Sequence, residues 1–199
     1  VDHHHTSHVA LEVSEKRVAD VYVKDAIDGR PLPSRVRFVG SPKAGQTTSQ
    51  GSIRLRYTLA NDPLYLEVSS GDSYVDSRIA THRRKRLIRV PQIPTEWMNS
   101  LIRKLPVSIR PDLGIVVGFV ENKNYVAQME REPGEYSQVF YFNQYGEIIP
   151  SGEAGGGFIA VNVAPGARTV TLGGDRTVVP WSQVALVDST VISIINHQF

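Results

Sequence analysis

The sequence predicts an all-β protein: two antiparallel β-sandwiches in tandem, joined by a proline-fenced linker that carries a short helix. Three observations predict it. Apolar residues recur with period two along most of the chain, and turn-forming residues interrupt them about every ten positions. One proline-bracketed stretch, 91–111, breaks the rhythm. The expected units are therefore 9–90, 91–111 and 112–199.

In the first unit Val9, Leu11 and Val13 alternate with Ala10, Glu12 and Ser14, and 18–23 is rich in valine and tyrosine. Val36 and Phe38 alternate with Arg35, Arg37 and Val39. The cleanest case is Ile53-Arg54-Leu55-Arg56-Tyr57, apolar on one face and arginine on the other. Leu64, Leu66 and Val68 then alternate with Tyr65 and Glu67. Such alternation marks a strand with one face in the core and one in water. Turns are expected at Asp28-Gly29, Gln50-Gly51, Asn61-Asp62-Pro63 and Gly71-Asp72, where Gly, Asn and Pro meet the backbone demands of tight reversals.

Pro91, Pro94, Pro106 and Pro111 bracket the second unit. Thr95 is placed as the N-cap of a helix over 95–105, with Trp97, Leu101 and Leu105 on one face at i, i+4 and i+8. Its apolar stripe is expected to pack between the two sandwiches. Beyond Gly114 the strand pattern resumes at 115–121, 125–130, 138–142, 158–163, 168–172 and 191–195, with turns at 121–124, Pro133-Gly134, Tyr145-Gly146, Pro165-Gly166 and Gly173-Gly174. Segment 181–187 fits either a helix or a strand.

The chain has 199 residues, 41% of them hydrophobic and 21% charged, which suffices for a buried core. No apolar run is long enough to cross a bilayer. No leader peptide is visible, which leaves the compartment open, since a mature exported protein has lost one. Cysteine is absent, excluding disulfides, thiolate metal sites and cysteine nucleophiles. The net charge of +2 is unevenly spread: residues 1–110 hold 18 Lys/Arg against 11 Asp/Glu, and residues 111–199 hold 4 against 9. The two halves therefore present different surfaces.

Residues 21–68 resemble the carboxypeptidase regulatory-like, or transthyretin-like (prealbumin-type), sandwich. The resemblance rests on Val21-Tyr-Val-Lys-Asp-Ala-Ile-Asp-Gly-Arg-Pro-Leu-Pro-Ser-Arg-Val-Arg-Phe-Val39, on Thr48-Ser-Gln-Gly-Ser-Ile53 and on Leu64-Tyr-Leu-Glu-Val68. Ala60-Asn61-Asp62-Pro63 departs from the turn that the family places there. Gly157-Phe-Ile-Ala-Val-Asn-Val-Ala-Pro-Gly-Ala-Arg-Thr-Val-Thr-Leu172 is similar to the same family's signature, which makes the last unit a divergent copy. The resemblance implies an accessory module of a secreted or surface protein, without chemistry of its own, although fold alone does not decide function.

Candidate catalytic groups lack context. His82 lies in Thr-His-Arg-Arg-Lys-Arg, where cations depress its basicity, and His197 sits close to the C-terminus, where chains fray. No G-x-S-x-G or H-E-x-x-H motif occurs. The glycine-rich 151–157 precedes a strand, whereas phosphate loops open helices; a β-loop is the better reading. Glu130/Glu132 and Glu147/Glu153 are read as solvated acids rather than a glycosidase pair. Asp25, Asp28 and Asp188 lack the spacing of a calcium loop. His3, His4, His5 and His8 form a tail whose imidazoles suit Zn, Cu or Ni, read first as an affinity tag or flexible end.

Two surface features remain. The run His82-Arg83-Arg84-Lys85-Arg86, with Arg89, is the most distinctive charge cluster, extended by Arg54, Arg56 and Arg78 if their strands adjoin. Its readings, in order, are an edge strand whose cations block mispairing, a site for an acidic polymer, and docking onto the acidic half of another copy. Among polymers nucleic acid ranks last, because no interleaved aromatics accompany the run. In the patch Tyr136, Phe140, Tyr141, Phe142 and Tyr145, alternation assigns the phenylalanines to the core and Tyr141 and Tyr145 to a contact surface. The expectation is a non-enzymatic structural or recognition module of an extracytoplasmic bacterial protein, with no cofactor, no metal, no transmembrane segment and no nucleic-acid partner. Its partner is a protein or surface assembly, or a polysaccharide. The candidate ligand-binding residues are Arg83, Arg84, Arg86, Arg89, Tyr141 and Tyr145; the alternative function is a carbohydrate- or anionic-polymer-binding module using the basic strand and exposed tyrosines.

Overall fold

The computed structural model describes residues 16–58, 64–81, 86–132, 135–174 and 180–197. In chain order it contains β1 Lys16–Asp25, β2 Arg35–Phe38, β3 Ala44–Gln46, β4 Ser52–Thr58, β5 Leu64–Ser69, β6 Ser77–Thr81, β7 Leu87–Gln92 and α1 Thr95–Arg103. There follow β8 Gly114–Val120, β9 Tyr125–Glu132, β10 Glu135–Ser137, β11 Val139–Phe142, β12 Ile148–Ile149, β13 Gly157–Val163, β14 Gly166–Gly174, β15 Trp181–Val187 and β16 Ile192–His197. The all-β class holds, and no helix among the described residues is long and apolar enough to cross a membrane.

These strands form a three-stranded sheet β4-β1-β7, a four-stranded sheet β10-β9-β14-β15, and a nine-stranded sheet β12-β11-β13-β8-β16-β6-β5-β2-β3. The long sheet joins the two halves: β16, last in the chain, lies between β8 and β6 and runs parallel to both. Two cores flank it. Val117, Phe119, Phe142, Ile159, Val161, Ile192 and Ile194 share one with the inner residues of β1, β5 and β7 and with Met98 and Leu101 of α1. Val116, Val120, Phe158, Ala160, Val163 and Ile195 share the other with Tyr125, Ala127, Met129, Val170, Leu172 and Ala185. Because successive strand residues point to opposite faces, β8 and β13 are covered on both.

The expectation of antiparallel sandwiches one after the other differs from this in two respects. The sheets do not separate at 91–111, and three pairings are parallel: β1 with β7, β16 with β6 and β16 with β8. Parallel neighbours need a long crossover, and here each partner returns from far along the chain. Alternation within a strand reports which face is buried; it carries no information on which distant strand pairs with it.

Other local departures have simple causes. Pro94, not Thr95, occupies the N-cap of α1, and no side chain caps the helix. Thr95 is already helical, with its hydroxyl directed at the Asp72 carbonyl, 3.4 Å away. Pro91 falls inside β7, so the strand rhythm runs on to Gln92. Gly173-Gly174 extends β14 against Val126 and Tyr125. Segment 181–187 is a strand. His197 pairs with Val120 and stacks edge-on against Trp181 at 4.9 Å, and is not frayed.

Two devices tie the halves together. Asn162 has φ +57 at the register break between Ala160 and Val163. Its Oδ1 accepts from the Arg110 N–H at 2.7 Å and its Nδ2 donates to the Ser108 carbonyl at 2.9 Å, pinning the segment after α1 to β13. On the other side, Tyr65 donates to the Val184 carbonyl at 3.2 Å and Arg78 reaches the Leu186 carbonyl at 3.4 Å, so β15 overlies β5 and β6.

Candidate binding face

The outer surface of the three-stranded sheet gathers Lys24, Arg54, Arg56 and Arg89, all exposed cations of the first half. Strand β1 buries Ala19, Val21 and Val23, which by alternation turns Val18, Asp20, Tyr22 and Lys24 outward. Register sets their neighbours. Arg56 lies opposite Val18, Arg54 opposite Asp20 and Ser52 opposite Tyr22. On the other side Leu87 lies beside Asp20 and Arg89 beside Tyr22. The result is a face with the Asp20–Arg54 pair at its middle, Val18, Tyr22 and Leu87 around it, exposed by 44%, 45% and 42%, and Arg56, Arg89 and Lys24 beside them.

The electrostatics are one-sided. Arg54 donates its Nε–H to Asp20 at 2.7 Å, and that hydrogen bond, with the Asp20 charge, raises the guanidinium pKa above its ordinary value. The Nη groups of Arg54 have no partner among the described residues, and the side chains of Arg56, Arg89 and Lys24 have no hydrogen bond or ion pair there. Asp20 is the sole acid on this face among the described residues. Solvent-exposed arginines cost little to leave unpaired and attract anions over about 8 Å at physiological salt.

The sequence candidates distribute unevenly. Arg83 and Arg84 lie outside the described residues, as do His82, Lys85 and the His3, His4, His5 and His8 tail. Arg86 is exposed just before β7, and its carbonyl accepts from the Asp20 N–H at 2.7 Å, which sets its backbone beside β1. Arg89 belongs to the face directly. The strand of Arg54 and Arg56 does not adjoin that of Arg89: β1 lies between them, and the three arginines share one face across it; Arg78 is not on that face. It is largely buried in the nine-stranded sheet, where Glu67 holds it at 2.6 Å while also pairing with Arg37 at 2.5 Å.

Tyr141 is a correction. Its ring packs edge-on against Tyr125 at 5.7 Å, and its hydroxyl accepts from the Ala127 N–H at 3.0 Å, so it belongs to a core and not to an exposed surface. The expectation took one face of 138–142 for solvent, but β11 sits in a sheet covered on both sides. Tyr145 is 76% exposed, at the turn between β11 and β12. Asn143 Oδ1 accepts from the N–H groups of Tyr145 and Glu147, both at 3.0 Å, and Lys104 bonds the Gly146 carbonyl at 3.0 Å and Glu147 at 2.8 Å. Gly146 adopts φ +74 over Trp97, where a β-carbon would meet the indole. The turn that carries Tyr145 is thus tied to Lys104 and packed on Trp97 of α1, on elements other than those of the basic face.

The sequence reading missed Tyr22, Val18 and Leu87. The signal was present in 18–25: if Ala19, Val21 and Val23 face inward, then Val18 and Tyr22 share the side of Asp20 and Lys24.

Four of the acids weighed above are engaged elsewhere. Glu130 accepts from the Thr169 N–H at 3.0 Å, Glu132 meets Arg168 at 3.4 Å, and Glu147 pairs with Lys104. Asp25 is buried, accepting from Ile27 N–H, Asp28 N–H and the Tyr74 hydroxyl at 2.7–3.0 Å. Burial alone pushes its pKa up, but the bonds from Asp28, Tyr74 and Ile27 and the charge of Arg30 outweigh that and hold it below the usual value. Among the described residues no three His, Asp or Glu side chains gather as metal ligands. The glycine-rich segment is close-packed: a β-carbon on Gly156 would overlap the Phe142 carbonyl, and one on Gly157 the Gly118 carbonyl.

No protein-family model matches this chain, and no curated protein matches it. Among solved structures, one titled "The Bacillus anthracis TIE protein" aligns at 14% identity with a TM-score of 0.31. The alignment covers 92% of this chain and 33% of that one, so the chain spans about a third of that protein's length.

Proposed function

We propose that this chain is a non-enzymatic recognition module of an extracytoplasmic bacterial protein, and that it meets its partner through the outer face of β4-β1-β7. One observation carries the reading: exposed Val18, Tyr22 and Leu87 surround the Asp20–Arg54 pair and stand among further cations that are without partners among the described residues. A face built only to block mispairing needs the arginines but not the exposed tyrosine and leucine, since charges alone protect an edge. Aromatic and aliphatic groups amid arginine are the composition of contact surfaces.

The prealbumin-type kinship of the two halves, fused here through one shared sheet, and the export of the chain belong to the same proposal. They rest on the motif of residues 21–68 and its divergent copy at 157–172, and they agree with a sequence free of cysteine. The absence of catalysis rests on the separate engagement of Asp25, Glu130, Glu132 and Glu147, each held by its own neighbour.

The test is a panel of anionic partners of different classes (acidic glycans, acidic polypeptides, nucleic acids and anionic vesicles) against the wild type and R54S/R56S/R89S. A contact face gives at least one interaction that the triple variant loses while its melting temperature is unchanged. If none of the panel binds, or if binding survives the triple change, the arginines only guard the sheet.

A further inference from the structure

Resting on that contact face, we infer that its ligand is an acidic polysaccharide, laid along the strands with a sugar ring over Tyr22 and its carboxylates met by Arg54, Arg56 and Arg89. The pairing registers set the layout. Tyr22 is on the central strand, with Ser52 on one side and Arg89 on the other. Arg54 and Arg56 follow along β4, about 6.7 Å apart at the rise of an extended strand, and the three strands together are about 10 Å wide. Lys24 lies beyond Tyr22 at one end of the face and Arg56 borders Val18 at the other.

The cations are strung along the face rather than converging on a point. A small anion needs convergent donors; a chain with regularly spaced charges needs this spread. Tyr22 has a small neighbour in Ser52, which leaves room beside its ring, and an exposed aromatic ring flanked by donors suits the apolar face of a pyranose. Neutral sugars would leave the cations unused.

Other macromolecules fit less well. A membrane-inserting surface needs protruding apolar side chains, but Val18, Tyr22 and Leu87 are each more than half covered and lie among longer arginines. Single-stranded nucleic acid stacks successive bases on successive aromatics, and among the described residues this face offers one. An acidic peptide would use the charges and leave Tyr22 idle. Among the described residues Asp20 is the one repulsive element of this face, and Arg54 pairs with it at 2.7 Å.

The experiment separates sugar from charge. Polygalacturonate supplies both, its fully methyl-esterified form the sugar without the charge, and polyglutamate the charge without the sugar; phosphatidylserine vesicles are the fourth probe. Polygalacturonate should bind at least about tenfold more tightly than the other three, about 1.4 kcal/mol in affinity, and its binding should weaken as salt is raised. Tyr22→Ala should weaken polygalacturonate at least fivefold without altering the salt dependence, and Tyr22→Phe, which keeps the ring, should retain it. R54S/R56S/R89S should abolish it. If polyglutamate or the vesicles match polygalacturonate, or if Tyr22→Ala has no effect, the polysaccharide is wrong; loss of that same binding in the triple variant then still upholds the contact face. Binding of no probe, or binding indifferent to the arginines, overturns both.

Discussion

Two stretches of the nine-stranded sheet are built differently. Strand β2, Arg-Val-Arg-Phe, alternates exposed and buried residues, and β5 beside it pairs its outward Glu67 with Arg37 and Arg78. Strands β8 and β13, Gly-Ile-Val-Val-Gly-Phe-Val and Gly-Phe-Ile-Ala-Val-Asn-Val, are buried almost throughout. The alternation of β2 belongs to a stretch of sheet with one covered face, the apolar runs of β8 and β13 to a stretch with two. The difference teaches that the second half's strands carried more than "strand": their continuous apolarity specified a layer on each side. It also explains Tyr141, which alternation turned away from one core and into the other.

The sharpest way to break this comparison is to remove a large side chain from the doubly covered layer. Phe158→Ala should cost about 3–5 kcal/mol in denaturant unfolding, while Arg37→Ala, on the solvated side of the same sheet, should cost under about 1 kcal/mol. Comparable losses at the two sites would refute the distinction. A β-carbon on Gly118 would overlap the Phe158 ring, so Gly118→Ala should destabilise the wild type but much less a Phe158→Leu background, a coupling that adjacent residues show.

Acid should act next, and on the first half. Asp25 and Glu67 are both held below their ordinary pKa values. Burial works against this in each, but hydrogen bonds to Asp25, and the Arg78 and Arg37 bonds to Glu67, outweigh it. A carboxylate with a depressed folded pKa contributes stability above its unfolded pKa and loses it as pH falls through the folded one. Stability should therefore decline below about pH 4. In urea titrations at successive pH values, Asp25→Asn and Tyr74→Phe should flatten that decline at a cost near neutrality. An unchanged acid slope in Asp25→Asn would remove Asp25 from the account.

The smallest expected effect lies in the second core. The Tyr125 hydroxyl is buried with no hydrogen-bond partner among the described residues, and burial drives its pKa far upward. An unpaired buried hydroxyl opposes folding, so Tyr125→Phe should leave the melting temperature unchanged or raise it by a few degrees. A clear fall would mean that the hydroxyl has a bond that these packing distances do not reveal.

Local rules made much of this molecule legible. Strand positions such as β4, β5 and β13, the helix α1, the turns at Gly29, Gly51 and Gly146, and the shared outward side of Arg54 and Arg56 all follow from period, propensity and turn chemistry, which act over a few residues. Tertiary structure alone decided that β16 enters between β8 and β6, that Arg78 serves Glu67 instead of the surface, and that Tyr22 stands amid the arginines. Those outcomes depend on which distant strands become neighbours. That is settled by burying two apolar faces at once, a condition imposed by the whole chain rather than by any short segment of it.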